Sequence, residues 1–503
     1  MKIFLLASLA LAWSAPAFAA SDYLVAIGKS SAGDDGWNKA AHALAAKHQG
    51  TVASWDESEA GLLTLLREKH PRYLAIVGKP ETFDSAIVRG INRATRMADP
   101  DVWTDCQWGL ITGQSPADAM KVISASKPLV VKRALCTTGI DLDQMDSGLV
   151  LSDGASGKFT RKQTGQAPVE MTWDEKTNPA GTVELFAEAW NKDKPQVLVT
   201  SSHATQFNLE MPFGIGLIAS HGGKFHVVTK AQRNDFARFL GGAMFKGNVA
   251  DLGKWIDSIK SPVLGGSEDD KVWVAAGNCL IGDARKTSES MVVSAMSNGG
   301  VRQFLGYVVP TWYGKNGWGA SGLWQASKGR LSLSEAFFLN TQSLIDASMT
   351  GCPGAELVNF DSDDIEHGMQ SDRGFLEGLQ KLEKEGKLTK ENSKDVLGLI
   401  HDRDVVALWG DPCWVARFGS PAGGPAITES WQDDKKSLTL TLVAKRDFSA
   451  AYPLWLPRRV AKPTVEISGD AKPDAIVAKD FLYLRKLDLK AGQKVKITVK
   501  QKD

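Results

Sequence analysis

The chain has 503 residues, 43% of them hydrophobic and 23% charged, with 59 Lys and Arg against 58 Asp and Glu for a formal net charge of +1. That length and balance exclude a single small domain, a disordered chain and a low-complexity fibre. Near-neutral charge with no long single-sign block leaves no footprint for nucleic acid or an anionic membrane surface, so a charged substrate must be recognised locally.

The chain opens with Lys2, an apolar run from Ile3 to Trp13 and the small-x-small pattern Ala17-Phe18-Ala19. This is the pattern of a secretory signal peptide over residues 1–19, which places the mature protein outside the cytoplasm, secreted or periplasmic. No later stretch reaches the roughly 20 uncharged apolar residues of a membrane span, so no transmembrane segment is expected. Five cysteines (Cys106, Cys136, Cys279, Cys352, Cys413) cannot all pair within the chain, and none forms a CxxC motif.

From Tyr23 the sequence alternates apolar runs with amphipathic stretches. Tyr23–Gly28 reads as a strand, Gly36–His48 as a helix, Thr51–Trp55 as a strand, Ser58–His70 as a helix and Tyr73–Gly78 as a strand. A helix over Thr82–Arg96, a strand at Trp108–Gly113 and a helix opened by Ser115-Pro116 follow. Fully apolar strands separated by helices predict a mostly parallel sheet covered on both faces, a three-layer α/β/α sandwich. A polar, Gly-rich stretch from Asp141 to Gly181 suggests a subdomain boundary, dividing residues 20–150 from 151–425.

The pattern resumes with a helix at Thr182–Lys192 and the apolar run Gln196–Ser202, which ends on His203. A hairpin-like region with turn signals at Gly214, Gly216 and Gly222-Gly223 precedes a helix over Ala231–Gly242. Lys271–Asn278 is a second buried strand, ending on Cys279. Lys286–Asn298 reads as a helix and Val301–Val309 as a strand, followed by helices over Ser332–Ser348, Asp372–Glu385 and Lys390–Ile400. Beyond Asp411 the segments Ser437–Val443, Thr464–Ile467 and Lys494–Val499 alternate with period two, which predicts an all-β module over 426–503, a sandwich of immunoglobulin type.

His203 and Cys279 each follow a buried strand, and parallel strands deliver such residues to one carboxyl edge, where open α/β folds carry their sites. On neighbouring strands about 4.8 Å apart, imidazole and thiol would meet despite their distance in sequence. Cysteine is a strong nucleophile, and an imidazole can stabilise its thiolate and protonate a leaving amine. His221, in a literal His-Gly dipeptide after Ile215–Ala219, is the competing histidine. No cofactor is implied, and the local signatures of zincins, α/β-hydrolases and P-loop enzymes are absent from the sequence. Asp361, Asp363, Asp364 and Glu366 cluster near His367 without EF-hand spacing, so a solvated loop is the simpler reading than a calcium site. Trp312, Tyr313 and Trp318 are candidates for a groove wall or for packing beneath a loop.

Val197-Leu-Val-Thr-Ser-Ser-His203 and Val272-Trp-Val-Ala-Ala-Gly-Asn-Cys279 resemble the two signatures of the caspase, legumain and gingipain clan of cysteine peptidases. Pro71–Gly78, Thr104-Asp105, Gly109–Gly113, Gly299-Gly-Val301, Gly306-Tyr307 and Leu408–Pro412 extend the similarity to the gingipain branch across most of residues 22–503. The resemblance implies a caspase-like α/β domain, Cys279 as nucleophile, His203 as general acid/base and a polypeptide substrate. It implies an oxyanion hole from the backbone N–H groups of Cys279 and Ala204, where Ala204 replaces the clan's usual glycine. It also aligns Asp105 with a carboxylate lining a specificity pocket for Arg or Lys, against the simpler reading of a loop aspartate capping backbone. The β module would serve as a docking surface for a protein partner. The alternative is a non-catalytic binding protein that retains the same fold.

Overall fold

The computed structural model describes residues 22–151, 158–172, 181–212, 216–230, 232, 249–421 and 423–502. The expected signal peptide lies outside the described residues, and so does most of the helix expected over Ala231–Gly242. No helix among the described residues is long and apolar enough to cross a membrane.

Strands Tyr23–Gly28, Tyr73–Val77, Gln107–Ile111, Val197–Thr200, Lys271–Ala275, Val301–Tyr307 and Val406–Gly410 are buried at every position. All are members of one twelve-stranded sheet covered on both faces, which is why they read as continuous apolar runs. Alternation decides which layer each side chain meets. Tyr23, Val25 and Ile27 pack with Trp37, Leu44 and Ile123 on one face, whereas Leu24 and Ala26 join Leu62, Leu66, Val88 and Ile91 on the other.

Named by first residue, the strand order is 51-23-73-107-406-301-271-197-133-147-158-169. Pairs from 51 to 406 are parallel, and so are those from 301 to 147. Between these halves, Val301–Tyr307 and Val406–Gly410 pair antiparallel. The sheet is thus two parallel halves running in opposite directions, so the carboxyl rim of the second half lies on the same edge as the amino rim of the first.

The reversal of direction falls between residues 111 and 133, before the polar stretch at which the composition shifts. That stretch holds the hairpin Lys158–Lys162 and Val169–Thr172, paired antiparallel at the sheet edge. Half-exposed edge strands carry no apolar alternation to betray them. The helix expected over Lys286–Asn298 is shorter, Met291–Ser297, capped by the Ser290 hydroxyl. Arg285 and Lys286 hold left-handed φ of 49° and 52°, which a helix cannot include.

Beyond the last sheet strand the chain turns at Gly410 (φ 111°) and crosses Gly109 so closely that a methyl there would collide with the Gly410 carbonyl oxygen. The turn buries Asp411 as a hub. Its carboxylate accepts from Tyr23 Oη at 2.8 Å and the Cys413 amide at 2.9 Å, and contacts Lys47 Nζ at 2.9 Å and His48 Nε2 at 2.7 Å.

Residues 427–501 form two antiparallel sheets around their own apolar core. Counting strands from Ile427, the order is one-two-seven-four facing three-six-five. The immunoglobulin type expected for this module would set one-two-five-four against three-six-seven; here the fifth and seventh strands are exchanged between the two sheets. The module is anchored by Arg72, which donates to Asp480 at 2.8 Å and to the carbonyls of Leu456 and Pro457, and stacks over Trp455. Arg485 adds an ion pair to Asp346 at 2.6 Å.

Burial works against the Asp411 charge, but His48 and Lys47 outweigh it and hold the carboxyl well below the usual range. A depressed carboxyl stabilises the fold above its unfolded value of about 3.9, and that stability is lost as pH falls below it. Asp411→Asn is expected to cost about 3 kcal/mol at neutral pH, because Lys47 loses its buried counter-charge and the hub around Tyr23 and His48 loses a charged acceptor. The difference from the parent chain, followed by denaturant unfolding against pH, should shrink below about pH 4.

Candidate active site at the rim of the second half-sheet

The histidine strand, Val197–Thr200, and the cysteine strand, Lys271–Ala275, are direct neighbours, with Val197 opposite Val272 and Thr200 opposite Ala275. The register continues past their ends, where Ala276 N–H donates to Thr200 O at 2.9 Å. Asn278 then closes the gap between the emerging segments. Its Oδ1 accepts from Thr200 Oγ1 at 2.6 Å and its Nδ2 donates to Ser202 O at 2.6 Å. Trp273 Nε1 donates to the same Thr200 hydroxyl at 2.9 Å. The residue before Cys279 is therefore bonded to the residue before His203.

His203 is exposed at this rim, and Cys279 is partly exposed. Downstream of both, Gln206 Nε2 donates to Asp283 Oδ2 at 3.3 Å, tying the histidine loop to the cysteine loop a second time. Burial pushes Asp283 up to about 6, against the Arg285 amide and Gln206, which favour its charge.

The turn after the cysteine is strained and laced down. Leu280 holds φ 60°, a left-handed conformation that costs a branched side chain about 1–2 kcal/mol. Its N–H donates to Val309 O at 3.3 Å, and Gly282 N–H donates to Tyr307 O at 2.9 Å. Cys279 Sγ itself accepts from the Thr311 N–H at 3.2 Å. A sharp strand-to-loop turn of this kind lifts a side chain clear of the sheet.

Ala204 opens a short hairpin, opposite Leu209, and its φ lies outside the left-handed region, so its methyl imposes no strain. Glu210 N–H donates to His203 O at 2.9 Å, which makes 203/210 the hydrogen-bonded pair and 204/209 the non-bonded one. The Ala204 N–H therefore points away from its hairpin partner. Trp312 and Trp318 are 47% and 41% exposed. A methyl on Gly277 would collide with Ser201 Oγ and Trp318 Nε1, so the indole stands over the rim between the two strands. Tyr313 instead packs against the buried His401 ring, centroids 5.8 Å apart.

Two other residues have their partners elsewhere. His221 ends a strand of a separate four-stranded antiparallel sheet, before the Gly222-Gly223 turn, and its Nδ1 contacts Glu289 at 2.9 Å. Asp105 faces the β module: Lys479 Nζ lies 4.0 Å from its carboxylate, and Arg459 donates to its carbonyl at 2.7 Å. Of the acidic cluster, Asp361 pairs with Arg93, and Asp363 accepts from Ser85 at 2.6 Å and Arg89 at 3.0 Å.

All five cysteines are free thiols. Burial pushes up the thiols of Cys106, Cys136, Cys352 and Cys413, Cys136 to about 12. Asn278, Gln206, Asp283, Leu280 and Thr311 were invisible as site residues in the sequence, since each matters through what it touches. Asn278 alone carried a local hint, a polar residue closing an apolar run directly before a cysteine.

No family model matches the chain, and neither does any curated protein. Among solved structures it is similar to the complex of Porphyromonas gingivalis RgpB pro- and mature domains, at 9% identity and TM-score 0.38 over 96% of this chain and 93% of that one. It is also similar to a structure described as a protease, at 10% identity and TM-score 0.38 over 97% of this chain and 96% of that one.

Truncating Asn278→Ala strands the Thr200 hydroxyl and Ser202 carbonyl and should cost about 2 kcal/mol, read from the denaturation midpoint. Asp105 behaves in the opposite sense to Asp411. Burial pushes it up to about 8, with Asp99 adding repulsion that Lys479 only partly offsets. The folded chain keeps a proton that the unfolded chain releases above about pH 4, so this group lowers stability progressively as pH rises from there towards 8. Asp105→Asn should therefore raise Tm at neutral pH and flatten its pH dependence across that interval.

Proposed function

We propose that the protein is a cysteine endopeptidase, exported to the periplasm or the exterior, with Cys279 as nucleophile and His203 as general acid/base. The observation that carries this reading is the Asn278 clasp, in which the side chain just before the cysteine holds the Thr200 hydroxyl and the Ser202 carbonyl just before the histidine, at the ends of adjacent parallel strands. Such a clasp gives two side chains 76 positions apart one shared rim.

In this reading Sγ passes its proton to His203 and attacks the scissile carbonyl carbon, forming a C–S bond and an oxyanion. The Ala204 and Cys279 N–H groups receive the developing charge, in keeping with the direction of the Ala204 amide. Collapse breaks the C–N bond as protonated His203 gives its proton to the departing amine. His203 then takes a proton from water, which attacks the thioester and releases the carboxylate product with return of the thiol. Trp312 and Trp318 flank the entering chain with apolar surface. Asp105 has no part in this scheme, since its partners lie in the seam with the β module.

A peptidyl electrophile should label Cys279 selectively on the native protein, because burial suppresses the other thiols. Cys279→Ser should abolish peptide hydrolysis, and His203→Ala should lower kcat/KM at least a hundredfold while His221→Ala changes it little. Mass spectrometry of the adduct and steady-state kinetics on a peptide library check both. A native protein that takes the label indiscriminately and hydrolyses no peptide would leave the binding-protein reading in its place, whereas equal loss of activity on His221→Ala would move the acid/base role to His221.

A further inference from the structure

We infer that the main-chain amide of Thr311 is a positioning group for the proposed nucleophile, a fixed donor that holds the Cys279 sulfur at the rim and supports negative charge as it forms there, so that His203 is left to move the proton. The role takes its purpose from the peptidase reading, but its measurement does not depend on cleavage.

The geometry is a ladder of three contacts between the turn after the cysteine and the extension of the Val301–Tyr307 strand. Gly282 N–H meets Tyr307 O, Leu280 N–H meets Val309 O, and Thr311 N–H meets Cys279 Sγ. Only the last ends on a side chain, and that side chain is the proposed nucleophile. The Thr311 hydroxyl does not make the contact: Oγ1 is buried and has no hydrogen-bond partner among the described residues. Pro310, just before it, restricts the backbone that presents the amide.

The amide is also braced from behind. Tyr307 Oη donates to Asp402 Oδ2 at 3.0 Å, and Asn316 N–H donates to the same oxygen at 3.2 Å. Asn316 Nδ2 donates to Asp402 O at 3.1 Å, and Asn340 Nδ2 donates to Asn316 Oδ1 at 2.9 Å. This buried network spans the loop on both sides of Thr311, so the N–H is aimed before any substrate arrives. A donor hydrogen-bonded to the charged form of a group favours that form, and a backbone amide cannot lose its proton as pH changes. The strain at Leu280 fits the same purpose, since relaxing that residue would draw the sulfur away from the amide.

The test replaces the Thr311 amide by an ester, incorporating the α-hydroxy acid analogue of threonine at this one position. The midpoint at which the Cys279 thiolate band appears in the ultraviolet should rise by about one pH unit relative to the parent chain, and on the acid side of that midpoint iodoacetamide should alkylate Cys279 roughly tenfold more slowly, with little change near pH 10. Thr311→Pro, which removes the same N–H by ordinary substitution, should shift both readings in the same direction. Thr311→Val, which keeps the N–H and removes the hydroxyl, should leave both at parent values. A parent-like midpoint and alkylation rate in the ester chain, or equal slowing by Thr311→Val, would overturn the assignment. A chain that cleaves peptides normally as the ester overturns the role of the amide alone. One that shows the expected alkylation pattern yet cleaves nothing overturns the peptidase reading alone.

Discussion

The parallel pairing of Val197–Thr200 with Lys271–Ala275 is the constraint on which the proposed chemistry depends. A sheet fixes both the spacing and the register of adjacent strands, and a one-residue slip would send every side chain beyond it to the opposite face. Here the register is held by apolar packing below the rim, with Val199, Val274 and Trp273 buried, and by Asn278 above it. A buried amide with its partners satisfied stabilises one arrangement and penalises every other, since each displaced contact strands a polar group. The same residue thus serves folding and the placement of His203 and Cys279.

The opposed directions of the two half-sheets have a second consequence. The rim that carries His203 and Cys279 is also the rim from which Tyr73–Val77 and Gln107–Ile111 begin, and there the β module docks through Arg72, Arg459 and Lys479. The module is therefore joined to the same edge of the sheet as the candidate site, through the buried Arg72–Asp480 pair and the partly buried Arg459 and Lys479. Asp105 belongs to that seam. Its raised proton affinity records how little solvent reaches it and how crowded it is by Asp99 and Asp101.

Cysteine usage follows from burial as well. Cys106, Cys136 and Cys352 behave as small apolar core residues, and burial keeps their thiols protonated. Cys279 differs by position: it ends a strand, sits on a strained turn and accepts a backbone hydrogen bond at sulfur. Identical side chains are placed in the core or at a partly exposed strand end by where the backbone leaves them.

Most strands of the large sheet were legible from the chain alone, because burial on both faces demands unbroken apolar runs, and the runs ending at His203 and Cys279 pointed to a common rim. The period-two alternation after Ser437 was equally plain, since one face of each sandwich strand is wet. Local pattern could not reveal the exposed hairpin at 158–172, the left-handed pair Arg285-Lys286 that delays the Met291 helix, or the exchange of strands within the sandwich. Nor could it locate Asp105 in the seam with the β module, or show that His221 is held by Glu289. These depend on contacts between segments tens to hundreds of residues apart, and a hydrogen bond such as Asn278 to Ser202, or Thr311 to Cys279, leaves no trace in composition or periodicity. Sequence determined which segments must be buried; only the tertiary structure decided which of their ends would meet.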